Sequence, residues 1–421
     1  MKRLEGLGPL PDLLGQGKTL VLHSGCAEPP YLSRLLASHA ADLRGTRVIT
    51  FMPMGDSPYG EMAPASQLKV ETFFPGKGLR AALTAGRARA LRYPVSVMPV
   101  LFDSGEIKSD VVMLQVSPPD ASGTVSLGVS VDFMHAVLRQ RPLVVAEINP
   151  RMPRTSGVST LPAASIDWFV EATAPPQEMP LTTADDIDAR IAKNVTGLIG
   201  DGAVIQLGIG SLQDCVLGQL GHLRHLGLHT GIVTDAIQPL IESGVIDNSS
   251  KRFMPGIGIT TMAGGTQSFY DFLHHNRVLE FHPCSITHGA ESLAKVERLC
   301  AINSALQVDL AGNVNSENIG SRKIALPGGS LDFSTAAVSV RGGASIIALR
   351  STFGKDVSSN ILRSLEPAAP VTVPASAVSF IVTEYGVAAL RGANEAERAA
   401  AIAAIAHPAH RDMLLKSRTA G

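Results

Sequence analysis

Thr19–Phe51 reads TLVLHSGCAEPPYLSRLLASHAADLRGTRVITF, and this stretch decides the fold class. Thr19–His23 is an apolar run of the length of a buried strand. Ser24-Gly25-Cys26-Ala27 breaks it, and Tyr31–Ala41 follows with helical spacing of leucine and alanine. Arg47–Phe51 is a second apolar run. Strand, helix and strand in that order form a βαβ unit, and repetition of such units implies a mostly parallel sheet. The plan returns downstream. Ala203–Leu207 (AVIQL) reads as a strand, Gly208-Ile209-Gly210 as a turn, Leu212–Leu220 as a helix and Gly227–Thr230 as the next segment. The expectation is an α/β protein of two open α/β domains on a duplicated plan. Thr173–Thr183 (TAPPQEMPLTT) carries three prolines and reads as an extended linker. It sets the domains at 1–180 and 181–421, the second opening with an amphipathic helix over Ala184–Leu198. Glu395–Ala406 reads as an alanine-rich helix stopped by His407-Pro408.

Bulk composition agrees. A chain of 421 residues exceeds what one core encloses. With 45% hydrophobic and 17% charged residues it is too apolar to be disordered. The net charge of −1 provides no field to select a nucleic acid. Cys26, Cys215, Cys284 and Cys300 form no C-x-x-C pair, which speaks against a zinc or redox motif and for reduced thiols in a cytoplasmic setting. The opening Met1–Gly6 lacks the apolar run of a secretory signal. Phe253–Tyr270 is uncharged, but Pro255 and four glycines interrupt it, so no membrane span is expected.

Several residues could carry chemistry. Glycine pairs stand at Gly208/Gly210, Gly256/Gly258, Gly264/Gly265, Gly328/Gly329 and Gly342/Gly343. Amides freed in such turns can cradle phosphate or an oxyanion, and each pair is equally an ordinary tight turn. Glu147, Gln307 and Glu384 follow apolar runs, and the carboxyl ends of parallel strands are where α/β proteins bind ligands. The alternative for a carboxylate there is pairing with an arginine such as Arg391. The histidines lack ligand spacing, and no G-x-S-x-G elbow or P-loop is present. No metal or bound cofactor is called for.

Six segments, in order, resemble the acetyl-CoA hydrolase/transferase family, which includes 4-hydroxybutyrate and acetate CoA-transferases. They are SPPDASGTVSLGVSVD (Ser117–Asp132), AEINPRMPRTSG (Ala146–Gly157), INSALQVDLAGNVNSENIG (Ile302–Gly320), PGGSLDF (Pro327–Phe333), IVTEYGVAALRG (Ile381–Gly392) and IAAIAHPAHRDML (Ile402–Leu414). The resemblance implies two α/β domains with an active site between them, and exchange of coenzyme A through a glutamate carboxylate. It gives Gly328 and Gly329 as oxyanion donors, and the segment around Gln307 and Asn315 as substrate-binding. Coenzyme A is then a substrate, with a small carboxylic acid as its partner. Gly256, Gly258, Gly342 and Gly343 are expected near CoA, and Arg252, Arg277 and Lys323 near its phosphates. A homodimer is expected. This chain departs from the family at two positions. The family's nucleophilic glutamate falls on Gly231, within LGLHTGIVTD (Leu226–Asp235), and Gln307 stands where many relatives have glutamate. Three accounts follow: transfer with Glu384 as the nucleophile; hydrolysis by water at Gly231 with Glu384 or Asp235 as base; or binding of CoA esters without turnover.

Overall fold

The computed structural model describes residues 1–4, 14–61, 68–179, 182–320, 322–354 and 358–416. Pro180 and Leu181 of the expected linker lie outside the described residues. The chain divides into two compact units. The first holds Met1–Pro180 with Gly231–Asp235 and Ile259–Gly289; the second holds Leu181–Thr230, Ala236–Gly258 and Ala290–Gly421.

The first unit is built on an eight-stranded parallel sheet. Its strands are β1 (Lys2–Arg3), β2 (Thr19–Leu22), β3 (Arg47–Thr50), β4 (Lys69–Thr72), β5 (Ala88–Ala90), β6 (Val111–Val116), β7 (Leu143–Ile148) and β8 (Trp168–Glu171). Their spatial order is β1-β8-β7-β6-β2-β3-β4-β5. All four residues of β2 and all six of β6 are buried. Burial of successive residues, which point to opposite faces, is why these strands read as unbroken apolar runs. Helix α1 (Pro30–Ser38) starts with proline at its first position, where no amide bond is lost. It presents Leu32, Leu35 and Leu36 to the cluster holding Leu20, Leu22 and Met113. Each such side chain contributes about 1.5–3 kcal/mol of burial.

The Ser117–Gly128 signature forms a polar knot. Asp120 Oδ1 accepts from the Ser122 and Thr124 amides, both at 3.0 Å, while Arg154 Nη2 reaches Oδ2 at 2.7 Å. The Ser122 hydroxyl, the Thr124 amide and the Arg154 charge hold this carboxyl well below its ordinary range. The same guanidinium donates to Ser117 Oγ and the Thr124 carbonyl, so the motif is a braced loop.

The second unit has a six-stranded sheet of β9 (Val204–Leu207), β10 (Gly227–Leu228), β11 (Leu299–Ser304), β12 (Ala344–Ala348), β13 (Phe380–Thr383) and β14 (Gly386–Ala389). The order is β10-β9-β11-β12-β13-β14, parallel except for the closing β13–β14 hairpin. Helices α2 (Asp186–Thr196) and α4 (Ser330–Ser339) pack with it, α3 (Ser211–Gly218) packs against α2, and α5 (Glu395–Ala404) and α6 (Pro408–Leu415) follow the last strand. Asp185 caps α2 by accepting from Ile187 and Asp188. Asn394 and Glu397 form a reciprocal capping box on α5. Among the described residues no helix is long and apolar enough to cross a membrane.

Candidate active site

The second unit reverses its strand order at β9. The chain goes from β9 to β10 on one side, and β11 lies on the other. In an open parallel sheet this reversal leaves a crevice beyond the carboxyl ends of the two flanking strands. A cavity of about 320 Å³ lies there. Ile209–Gln213 after β9, Ser304–Leu306 after β11 and Ala348–Arg350 from β12 onward line it, together with Asp188, Ile319, Phe353 and Asn360. Gly210 supplies the turn into α3 with φ 131°, and as a glycine it brings no capping side chain to the helix's first amides. Gln213 Nε2 donates to Ser304 Oγ, tying α3 to the end of β11.

Arg350 is the cation of this wall, and two carboxylates hold it. Its guanidinium bonds both oxygens of Asp185 at 2.9 Å and Asp188 Oδ1 at 2.7 Å. Those bonds, with the charges of the two aspartates, keep its affinity for the proton above the ordinary value against the opposing effect of burial. Asn360 Nδ2 donates to the Arg350 carbonyl at 2.9 Å.

Glu384 directly follows β13 at the same edge of the sheet. Ser351 holds both its oxygens, the amide donating to Oε2 at 3.0 Å and the hydroxyl to Oε1 at 2.6 Å. Asn194 of α2 donates to the preceding carbonyl, Thr383 O, at 2.9 Å. The carboxylate remains partly exposed. Arg391 is engaged elsewhere, with the Val338 and Gly343 carbonyls. The arginine-pairing alternative for Glu384 therefore gives way to a serine clasp.

Gly328 and Gly329 lead into α4, Gly328 at φ 59° and Gly329 as the N-cap residue. Helix α4 precedes β12 and runs counter to it, so its amino end belongs to the carboxyl edge of the sheet. Gln307 and Asn315 are brought into contact: Asn315 Nδ2 donates to Gln307 Oε1 at 3.1 Å. An amide oxygen at 307 accepts that bond as a carboxylate would. Asn315 Oδ1 accepts in turn from the Glu317 and Asn318 amides, so this pair braces a loop.

Other residues named from the sequence lie apart. Gly342-Gly343 forms the turn into the start of β12, where Arg298 N donates to Arg341 O, at the opposite edge of the sheet from the cavity. Gly256 sits in a turn whose amide bonds Asn248 O, and Gly258 begins the strand Gly258–Thr260. Arg252 pairs with Glu297 at 3.0 Å, and neither it, Arg277 nor Lys323 lines the cavity. Gly231 belongs to the segment contributed to the first unit, where its carbonyl accepts the Met262 amide at 3.1 Å. Asp235 is committed to Thr266, whose hydroxyl donates to it at 2.5 Å and whose amide lies 3.1 Å from Oδ2.

Sequence reasoning found Glu147 but not its partners. Its Oε2 accepts from the Tyr31 and Leu32 amides, at 3.0 and 3.4 Å, at the start of α1. Burial nevertheless pushes the carboxyl up to about 7. Glu28 went unnoticed. It is 2% exposed, takes hydrogen bonds from Ser33 Oγ and Tyr59 Oη, and is likewise pushed up to about 7 by burial. Asp188, Arg350 and Ser351 were also missed. Only the D-x-x-D spacing at Asp185 and Asp188 hinted at a shared cation.

A sheet switch point with a helix amino end and a strand-end carboxylate defines an α/β ligand-binding protein, and comparison with known proteins narrows the class. Residues 8–181 match the acetyl-CoA hydrolase/transferase N-terminal domain, and residues 265–418 match the C-terminal domain. The 4-hydroxybutyrate coenzyme A transferase of Clostridium kluyveri is 36% identical over 94% of this chain and 92% of its own. The RipA structure from Yersinia pestis superposes with TM-score 0.90 at 31% identity, covering 98% of this chain and 96% of that one. A 4-hydroxybutyrate CoA-transferase structure from Porphyromonas gingivalis gives TM-score 0.83 at 30% identity, with the same coverage of 98% and 96%. The chain belongs to the acetyl-CoA hydrolase/transferase family, a family of enzymes.

Proposed function

We propose that this enzyme moves coenzyme A between an acyl-CoA thioester and a small carboxylic acid, with the Glu384 carboxylate as the attacking group. The observation that carries this reading is the clasp of Glu384 by Ser351, which orients a partly exposed carboxylate at the carboxyl edge of the switch-point sheet. Position 231 has no side chain and can bear no adduct.

A carboxylate is a weak nucleophile, so the reaction depends on orientation and on stabilising the oxyanion that forms. A Glu384 oxygen bonds to the thioester carbonyl carbon, the carbon–sulfur bond breaks, and CoA leaves as the thiolate. The product is a mixed anhydride. The thiolate then attacks the glutamyl carbonyl carbon and expels the donor carboxylate, leaving a glutamyl-CoA thioester. The acceptor acid reverses both steps, leaving with CoA and freeing Glu384. Each tetrahedral intermediate carries one oxyanion, for which the amides at the Gly328-Gly329 entry to α4 are the donors. The free state of all four cysteines is consistent with a cytoplasmic setting.

The test supplies propionyl-CoA with and without acetate and follows every CoA species by mass spectrometry. Acetyl-CoA should form only with acetate, and a Glu384-containing peptide should carry the mass of CoA. Glu384→Gln should lower transfer by about a hundredfold or more. Free CoA released at the same rate without acetate would replace transfer with hydrolysis. Full activity of Glu384→Gln would remove Glu384 from the mechanism.

A further inference from the structure

The first unit has a cavity of its own, which shares no residue with the switch-point cavity of the second. At about 550 Å³ against about 320 Å³ it is the larger of the two, within the range of small-molecule sites. It opens at the amino edge of the eight-stranded sheet. Arg141 and Pro142 of its lining stand just before β7, and Asp167 stands just before β8. One wall is a face of the helix Met134–Arg139, where His135, Leu138 and Arg139 follow at helical spacing. The other wall is the connection that leads into β8. Most polar ends in this lining are already engaged. His135 Nε2 donates to Val158 O at 2.8 Å, and Ser165 Oγ donates to Pro162 O at 2.6 Å. Arg139 grips Asp103 through Nε at 3.0 Å and Nη2 at 2.8 Å, while Asp167 Oδ2 accepts the Val144 amide at 2.9 Å. Arg141 is the exception: among the described residues no carboxylate pairs with it and no side-chain bond holds its guanidinium.

The backbone singles out the same residue. Arg141 has φ 56°, in the left-handed region that suits glycine, and the proline that follows narrows its choice further. A glycine would relax this turn, yet the position carries a cation with five donors at the mouth of a cavity. Arg139 adds a second uncommitted donor, Nη1, from the same wall. The rest of the surface is apolar, from Leu138, Pro142, Leu161 and Pro162, and prolines lose no rotamer freedom when a ligand covers them. An inorganic ion would leave that surface wet, and a neutral apolar molecule would leave the guanidinium without a partner. We propose that this cavity binds an organic anion, a carboxylate or phosphate monoester. Its head group sits on Arg141 and Arg139 Nη1, and its apolar body lies on Leu138, Pro142 and Leu161. Asp103 is spent on Arg139, and Asp167 repels an anionic head, which directs that head to the arginines. The site is independent of the chemistry assigned to Glu384.

The experiment titrates hexanoate, hexyl phosphate, hexanol and inorganic phosphate calorimetrically into wild type and three variants. Arg141→Gly removes the cation at a φ that glycine adopts freely, and Ala164→Trp fills the cavity from an exposed position, so both keep the fold. Glu384→Gln controls for binding of the same anions at the second unit. The expected result is that at least one of the two organic anions binds wild type, the tighter one identifying the head group. Arg141→Gly and Ala164→Trp should each weaken it by about tenfold or more, and Glu384→Gln should leave it unchanged. Hexanol and inorganic phosphate should bind at least about tenfold more weakly than the preferred anion. Hexanol binding as tightly would reduce the site to an apolar groove, and inorganic phosphate binding as tightly would reduce it to an ion site; either would overturn the proposal. So would organic-anion affinities that Arg141→Gly and Ala164→Trp leave untouched, or no binding to wild type at millimolar concentration. Self-association of wild type that Ala164→Trp abolishes would give the cavity to a second copy of the chain and overturn it as well.

Discussion

Glutamine at position 28 should change the stability of the first unit in a pH-dependent way. Glu28 lies just before the Pro29-Pro30 entry to α1, 2% exposed, with Ser33 and Tyr59 hydroxyls both 2.9 Å from Oε1. Those two bonds favour the carboxylate, but burial outweighs them and raises the group from 4.5 to about 7. Below 4.5 the folded and unfolded chains are both protonated, and the group's contribution is fully present. As pH rises toward 7 the unfolded chain releases its proton while the folded chain keeps it, so stability is lost; above 7 the loss is complete. The difference is about 3 kcal/mol. Glu28→Gln removes this titration while keeping an oxygen that accepts from the hydroxyls. Urea unfolding followed through Trp168, the chain's one tryptophan, on β8 of the first unit, should show the variant gaining about 2.5 kcal/mol on wild type between pH 5 and pH 8. A difference between the two proteins that stays constant with pH would refute the argument. Glu147 carries a similar shift and should leave the variant with a residual pH slope of the same sign.

Asn394→Ala removes the side-chain half of the capping box on α5, leaving the residue-394 amide to donate to Glu397, and should cost about 1 kcal/mol, read as an earlier urea midpoint with an unchanged m-value. Gly265→Ala places a methyl 2.2 Å from Asp235 Oδ2 and 2.7 Å from Phe269 Cδ1, against the acceptor that holds Thr266. It should destabilise by about 1–3 kcal/mol, whereas Gly221→Ala, with nothing within 4 Å, should stay within about 0.5 kcal/mol in the same melt.

The α/β plan was legible because its strands are buried on both faces. Thr19–His23 and Ala203–Leu207 read as strands and form over Thr19–Leu22 and Val204–Leu207. Helix ends were less legible, for identifiable reasons. Tyr31–Ala41 was the expected helix, yet α1 runs Pro30–Ser38: proline is suited to the first turn, and His39 bonds back to Leu35 before the chain leaves the helix. Ala184–Leu198 contracts to Asp186–Thr196 because Asp185 caps it. Glu395–Ala406 ends at Ala404, where the alanines no longer continue the ladder ahead of His407-Pro408. Sequence pattern reports the apolar stripe, whereas capping bonds set the ends.

The candidate site was legible only where one residue type in one context suffices. Glu384 after FIVT and glycines after AVIQL both lie at the carboxyl edge of the sheet, since the strand itself fixes that position. Arg350 and Ser351 were illegible because their roles depend on partners far along the chain, Asp185 at a separation of 165 residues and Glu384 at 33. Glycine pairs were ambiguous for the same reason. Gly208/Gly210 and Gly342/Gly343 look alike in sequence, but one follows a strand and the other precedes one, so they fall at opposite edges of the same sheet. The residue type states what a turn can do, while the direction of the adjoining strand states whether a ligand can be there. That distinction also bears on Gln307. The residue looks like the loss of a catalytic carboxylate, yet its neighbour Asn315 needs only an acceptor, which the amide supplies. At position 307 the amide therefore serves a structural bond with Asn315.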